Sequence, residues 1–186
     1  MSSQNRRSPA ETLYIIMLRH IGFSKPLLSE AYLRNNLSPF GKKSIERASE
    51  RIEGPLAHQV HKWPVRPTNK IPGKGVVSNS QLIEMSILAA SMYYLYNEKI
   101  YEDLSMNEVI DAYDLYTNLR KTSKEIAPQI SPDTAFWLSR EFKSHFALVP
   151  LCERCGVRYY SSIEQKIKNA CPFCKETGVG DFDKAS

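Results

Sequence analysis

The chain has 186 residues, 42% of them hydrophobic and 24% charged, with a formal net charge of +5. That balance suits one medium globular domain with a small appendage and excludes a chain too polar to bury a core. No apolar run approaches a membrane span, and the stretch Leu13 to Leu18 ends at Arg19 and His20 with no small-residue cleavage pattern, so a soluble cytoplasmic protein with no membrane partner is expected.

The charge is unevenly divided. Residues 1–75 hold thirteen Lys or Arg against five Asp or Glu, residues 76–149 hold six against ten, and residues 150–186 hold six against five. A positive N-terminal third points to a polyanion-facing surface there; an evenly solvated basic surface is the plain alternative.

Ser8, Pro9 and Glu11 have the pattern of a helix N-cap, first turn and capping box. Leu13, Tyr14, Met17, Leu18 and Ile21 follow at helical spacing, and Gly22 can stop the helix. Pro26 opens a second helix with Leu28, Ala31 and Tyr32 on one face. Ser38 and Pro39 open a third, which runs to about Glu53 with Ile45, Ala48 and Ile52 as its buried side. Lys42, Lys43, Arg47 and Arg51 line another face of that helix, placed to meet successive phosphates or a guanine edge. Glu46, Glu50 and Glu53 leave open a salt-bridged, solvated face. Two helices joined by a short turn, the second one basic, resemble a helix-turn-helix unit, although Gly41 sits where an apolar residue would pack better.

From Gly54 to Gly75 the prolines 55, 64, 67 and 72 prevent a long helix. Lys62, Arg66, Lys70 and Lys74 make this connection basic, which suits a DNA backbone. His58 and His61 have the spacing of a metal pair but read as ordinary loop residues.

Ser78, Asn79 and Ser80 each offer a cap for the most apolar helix, where residues from Leu82 to Tyr96 cover nearly the whole circumference. More apolar surface than one small domain can cover points to a partner chain. Ser105 and Glu108 form a capping box before Val109, Ala112, Tyr113, Tyr116 and Leu119. Ser131 and Pro132 start a helix with Ala135, Phe136, Leu138, Phe142 and Phe146 on a broad apolar face, expected to end near Pro150. That helix leads into the cysteines, so Phe146, Leu148 and Leu151 are expected to dock the module that follows.

Cys152 and Cys155 are two residues apart, fifteen residues follow, and Cys171 and Cys174 repeat the gap. Two such turns supply the four sulfurs of a closed tetrahedral site, so one structural Zn2+ per chain is expected, with no open position for metal chemistry. Gly156 falls where a positive φ is often needed, Pro172 stiffens the second turn, and Val157, Tyr159 and Tyr160 read as a short strand. Disulfides and a redox pair are the weaker alternatives.

The fold class is therefore mainly α, a helical domain with a C-terminal four-cysteine zinc-ribbon-like module. Its parts are 1–54 (helical, with the possible helix-turn-helix), 55–79 (basic connection), 80–150 (helical core and partner-binding region), 151–177 (metal module) and 178–186 (a tail without pattern). No phosphate-binding glycine loop and no catalytic constellation occurs, so the sequence argues for binding rather than catalysis.

The order of features resembles the FlhC family, the C subunit of the FlhDC flagellar master activator of bacteria. The likeness rests on the basic helical N-terminal third, Pro72-Gly73-Lys74-Gly75, Ala112-Tyr113-x-Leu115-Tyr116, and an aromatic helix running into the two cysteine pairs. It covers most of the chain and departs around Val76 to Gln81, which is less aromatic, and in a shorter, less basic tail. The resemblance implies a zinc-binding activator of flagellar operons that binds double-stranded promoter DNA in a hetero-oligomer with FlhD and contacts RNA polymerase. Lys42, Lys43, Arg47, Arg51, Lys62, Arg66, Lys70, Lys74 and Arg158 are the candidate DNA contacts. Arg154, Lys166 and Lys168 join Arg158 as a second basic surface on the metal module. A zinc-ribbon RNA-binding or scaffold protein is the alternative, favoured if Tyr159 and Tyr160 are exposed for base stacking.

Overall fold

The computed structural model describes residues 9–34, 45, 46, 48, 71–122, 130–167 and 170–176. The chain is mainly helical and divides into two compact units, one of residues 1–66 with 131–133, the other of residues 67–130 with 134–186. Among the described residues, no helix is long and apolar enough to cross a membrane.

In the first unit, α1 spans Pro9–Ile21 and α2 spans Lys25–Arg34. Gly22, at φ 112°, closes α1 by a Schellman motif. Phe23 N–H reaches Leu18 C=O at 3.1 Å and Gly22 N–H reaches Arg19 C=O at 3.1 Å. The hydrophobic contact that accompanies this motif is supplied by Leu18 and Phe23, both fully buried. The buried side of α1 is Ile15 and Leu18, whereas Leu13 and Met17 are exposed. Residues 13–18 are apolar almost all round, so periodicity alone did not select the face. Ser24 caps α2, its hydroxyl accepting from Leu27 N–H at 3.3 Å, while its own N–H donates to Asp133 Oδ1 at 2.9 Å. Ile45, Glu46 and Ala48 are helical, with Ile45 and Ala48 buried as the expected third helix requires. The remainder of that helix, the turn before it, the connection from Gly54 to Lys70 and the tail 178–186 lie outside the described residues.

The second unit begins with a 3-10 turn at Pro72–Gly75, followed by α3 (Asn79–Tyr96), a 3-10 helix (Asn97–Tyr101) and α4 (Met106–Thr122). Ser78 caps α3, accepting from Gln81 N–H at 3.3 Å, while Gln81 Oε1 accepts from Val77 N–H. Ser105 and Glu108 form the capping box of α4. The apolar girth of α3 is largely covered within this unit: Leu82, Met85, Leu88, Ala89 and Met92 are buried, and Tyr94 and Leu95 are its exposed large apolar residues. The cover comes from α4 and the cysteine module, which pack against α3.

The Ala112-Tyr113-x-Leu115-Tyr116 sequence works through its hydroxyls. Tyr113 Oη donates to Ile130 C=O at 2.9 Å, and Tyr116 Oη accepts from Ile130 N–H at 3.3 Å while donating to Glu84 Oε2 at 2.7 Å. Glu84 also meets Arg120 Nη2 at 2.8 Å, with both side chains buried. Two turns of α4 therefore hold both backbone groups of Ile130 and neutralise a carboxylate of α3.

The helix α5 spans Pro132–Lys143 and stops earlier than the sequence led us to expect. His145 takes φ 56°, Phe146 N–H reaches Glu141 C=O at 3.1 Å and His145 N–H reaches Phe142 C=O at 2.8 Å. This is another Schellman closure, with histidine where glycine is usual. The His145 ring stacks on Tyr101 at 6.0 Å. The chain then forms β1 (Ala147–Leu148), paired antiparallel with β2 (Ser161–Ser162), and the last element among the described residues is α6 (Pro172–Glu176), which packs on α3.

Replacing Arg120 by Ala leaves the Glu84 carboxylate buried without its cation, and the expected loss is about 3–5 kcal/mol. Urea unfolding of the variant and parent measures it; a loss below about 1 kcal/mol would show the pair to be dispensable.

Candidate metal centre

The first cysteine pair forms the tip of a hairpin. Ladder pairing of β1 with β2 continues through an isolated bridge between Leu151 and Arg158 and a bond from Cys152 N–H to Val157 C=O at 2.9 Å. At the tip, Gly156 N–H returns to Cys152 C=O at 2.8 Å with Gly156 at φ 68°, the positive value the sequence led us to expect. The strand expected over Val157 to Tyr160 is displaced to Ser161–Ser162. The second pair brackets the first turn of α6, so Pro172 serves as a helix start rather than a turn brace.

These two elements bring all four sulfurs within 4.8 Å of one another. Cys152 and Cys174 are 3.6 Å apart and Cys155 and Cys171 are 3.7 Å apart. A disulfide requires about 2.05 Å, and all four cysteines are free. A tetrahedral ion bound at about 2.3 Å from each sulfur holds its ligands about 3.8 Å apart. The observed spacing fits one ion at the centre. Cys152, Cys171 and Cys174 are buried beside Tyr159 and Phe173, while Cys155 is exposed.

The thiols share their protons unequally. Backbone N–H groups of Cys155 and Arg154 pull Cys152 down to about 6, whereas its hydrogen bond with Cys155 and its burial push Cys174 up to about 12. Thiolates this close repel, and a divalent cation is the species that would let all four ionise together.

The hairpin is docked by its inner face. Ala147, Val149, Tyr160 and Ser162 are buried, with Tyr160 at 0% exposure. Phe146, Leu148 and Leu151, expected to dock the module, are 44%, 51% and 56% exposed. Alternation along the ladder sends Phe146 and Leu148 to the opposite face from Ala147 and Val149. Hydroxyls close the edges: Val149 N–H donates to Tyr101 Oη at 3.0 Å and Tyr160 N–H donates to Ser86 Oγ at 3.1 Å.

Behind the hairpin lies Glu141, 5% exposed. Its carboxylate accepts from Tyr160 Oη at 2.8 Å, Ser162 Oγ at 2.8 Å and Gly73 N–H at 3.3 Å. A Cβ on Gly73 would lie 2.7 Å from Glu141 Oε1 and closer still to Ser162 Oγ, so a side chain here would push these hydrogen-bonding groups out of place. Burial lifts the Glu141 carboxyl above its ordinary range, against these bonds, and Glu164 adds to the rise. Glu141 is not among the residues that motif and spacing single out; its one signal in the sequence is a carboxylate next to Phe142 within the apolar run of α5.

Of the candidate DNA contacts, Lys42, Lys43, Arg47, Arg51, Lys62, Arg66 and Lys70 lie outside the described residues. Lys74 pairs with Glu164 at 3.6 Å across the surface. Arg158 lies 3.8 Å over the Tyr93 ring and donates to Val149 C=O at 2.9 Å. Other cations of this unit also face carboxylates: Lys99 meets Glu108, Arg140 and Lys143 meet Asp103, and Arg120 meets Glu84.

Comparison with known proteins adds no family assignment, since no protein-family model and no curated protein matches the chain.

Purified chain is expected to hold one metal ion, and Cys152→Ser with Cys155→Ser is expected to abolish it and expose the hairpin to protease. Elemental analysis and limited proteolysis check both; well under one ion per chain, or unchanged protease resistance, would refute the site. For Glu141, a folded-state pKa above the unfolded one means that the native chain holds the proton more tightly. Its contribution is therefore present below the ordinary carboxyl range and lost as pH rises through the raised value. Urea unfolding across that window should show a steeper loss of stability with rising pH in the parent than in Glu141→Gln, and equal slopes would contradict it.

Proposed function

We propose that this chain is a DNA-binding transcriptional activator subunit of the FlhC type, acting with an FlhD-type partner on flagellar operon promoters and holding one structural zinc. The observation that carries the reading is the convergence of four free thiols, two on a hairpin entered directly from the aromatic helix α5 and two at α6, in the order the resemblance describes. Four sulfur ligands with tetrahedral spacing favour zinc over hard cations, and a closed donor set suits a structural ion.

Physical roles for two sequences that carry the resemblance add support. A side chain on Gly73 of Pro72-Gly73-Lys74-Gly75 would displace Ser162 Oγ and Glu141 Oε1, and both tyrosines of the α4 sequence bond the backbone of Ile130. For the RNA-binding alternative, Tyr160 is in the core and offers no face to a base, while Tyr159 is partly buried beside the cysteines. The charge division supports a DNA surface in the N-terminal third, because many cations of the second unit already have partners. A partner chain is supported by the exposed apolar residues Phe146, Leu148 and Ile163 on the hairpin's outer face.

Binding to a flagellar promoter duplex, measured against salt with and without an FlhD-type subunit, tests the reading. Specific binding that strengthens with the partner is expected. Replacing Lys43, Arg47 and Arg51 together by Ala should reduce the salt slope by about 0.9 for each phosphate no longer neutralised. Equal affinity for unrelated duplex, no effect of the partner, or an unchanged slope in a folded triple variant would each count against it.

A further inference from the structure

We infer that Glu141 is a latch through which the metal centre fixes the C-terminal end of the basic connection, so that metal occupancy controls whether residues 71–77 are held. The inference rests on the metal-centre part of the proposed function and is independent of DNA binding.

Gly73 and Val76 are held largely from the metal module. Gly73 N–H donates to both Glu141 oxygens at 3.3 Å, and the same carboxylate is bound by Tyr160 and Ser162 of the hairpin. Lys166 N–H donates to Val76 C=O at 3.2 Å, from the loop that leads towards the second cysteine pair. Lys74 meets Glu164 of that loop at the surface. The absence of a side chain at Gly73 lets this backbone approach Ser162 Oγ and Glu141.

The hydroxyl donors can reach Glu141 only while β2 is in register with β1. A two-stranded hairpin is only marginally stable by itself. Here its tip carries Cys152 and Cys155, and an ion shared with Cys171 and Cys174 ties that tip to α6. Metal loss removes the tie and frees β2 and the loop to 166. Tyr160 and Ser162 then leave Glu141, a carboxylate with two fewer donors draws in water, and Gly73 and Val76 lose their partners.

Hydrogen–deuterium exchange on the full chain tests the latch, with bound metal counted by elemental analysis. On chelation, peptides covering 71–77 and 147–166 are expected to exchange about tenfold faster or more, while α4 (106–122) keeps its protection. In metal-loaded Glu141→Gln, residues 71–77 are expected to speed up with metal content unchanged. Should that variant fail to fold, metal-loaded Ser162→Ala, which removes one hydroxyl donor, is expected to show the same change to a smaller degree. Unchanged exchange at 71–77 after the hairpin opens overturns the latch. So does loss of protection throughout the unit, α4 included, which would mean global unfolding. A chain that binds no metal overturns the latch together with the metal reading. No nucleic acid enters these measurements, so failure of the promoter reading is distinguished from failure of the latch.

Discussion

Repulsion among four sulfurs lying within 4.8 Å of one another is the constraint from which the C-terminal half of the second unit follows. Thiols so placed cannot all ionise without a cation, and with one they become a cross-link between the hairpin tip and α6. Everything between the two cysteine pairs then becomes a closed loop whose shape the helices can read. The inner face of the hairpin supplies apolar bulk through Ala147, Val149 and the Tyr160 ring, and hydrogen bonds through Ser162 and the Tyr160 hydroxyl. A small metal module docked in this way is a part of its helical unit rather than an appendage.

Much of the helical frame was legible because its punctuation is local. Ser78, one of three candidate caps of α3, Ser105 with Glu108, and Gly22 after α1 each do in the structure what their chemistry prescribes. The cysteine spacing revealed the site because a metal demands a fixed donor geometry. What escaped was decided by distant partners. The end of α5 was hidden because histidine occupies a position where glycine would have announced the turn. The docking face of the hairpin was misread because alternate residues of a short strand look equally apolar, and only the helices behind it choose between Ala147 and Leu148. Glu141 could not be placed from sequence, since its donors lie 68, 19 and 21 residues away.

Two buried carboxylates in this unit use opposite solutions to desolvation. Glu84 keeps a guanidinium beside it and a phenol on its other oxygen. Glu141 has only neutral donors among its described hydrogen bonds, drawn from a turn and a strand. Ion pairs tolerate small shifts because Coulomb attraction falls slowly with distance, whereas hydrogen bonds weaken steeply with angle. The Glu84 pairing of α3 with α4 is thus the more forgiving joint, and the Glu141 junction the more exacting one.

The hydroxyls on the edges of the hairpin limit how other molecules can approach it. A two-stranded sheet ordinarily leaves unpaired amides along both sides, an invitation to strand addition by peptides or by other copies. Here Tyr101 and Ser86 occupy the outward amides of Val149 and Tyr160, one on each strand. The module is therefore closed to β-augmentation at these positions, and a ligand for this surface must be read by side chains across the face of Phe146, Leu148 and Ile163.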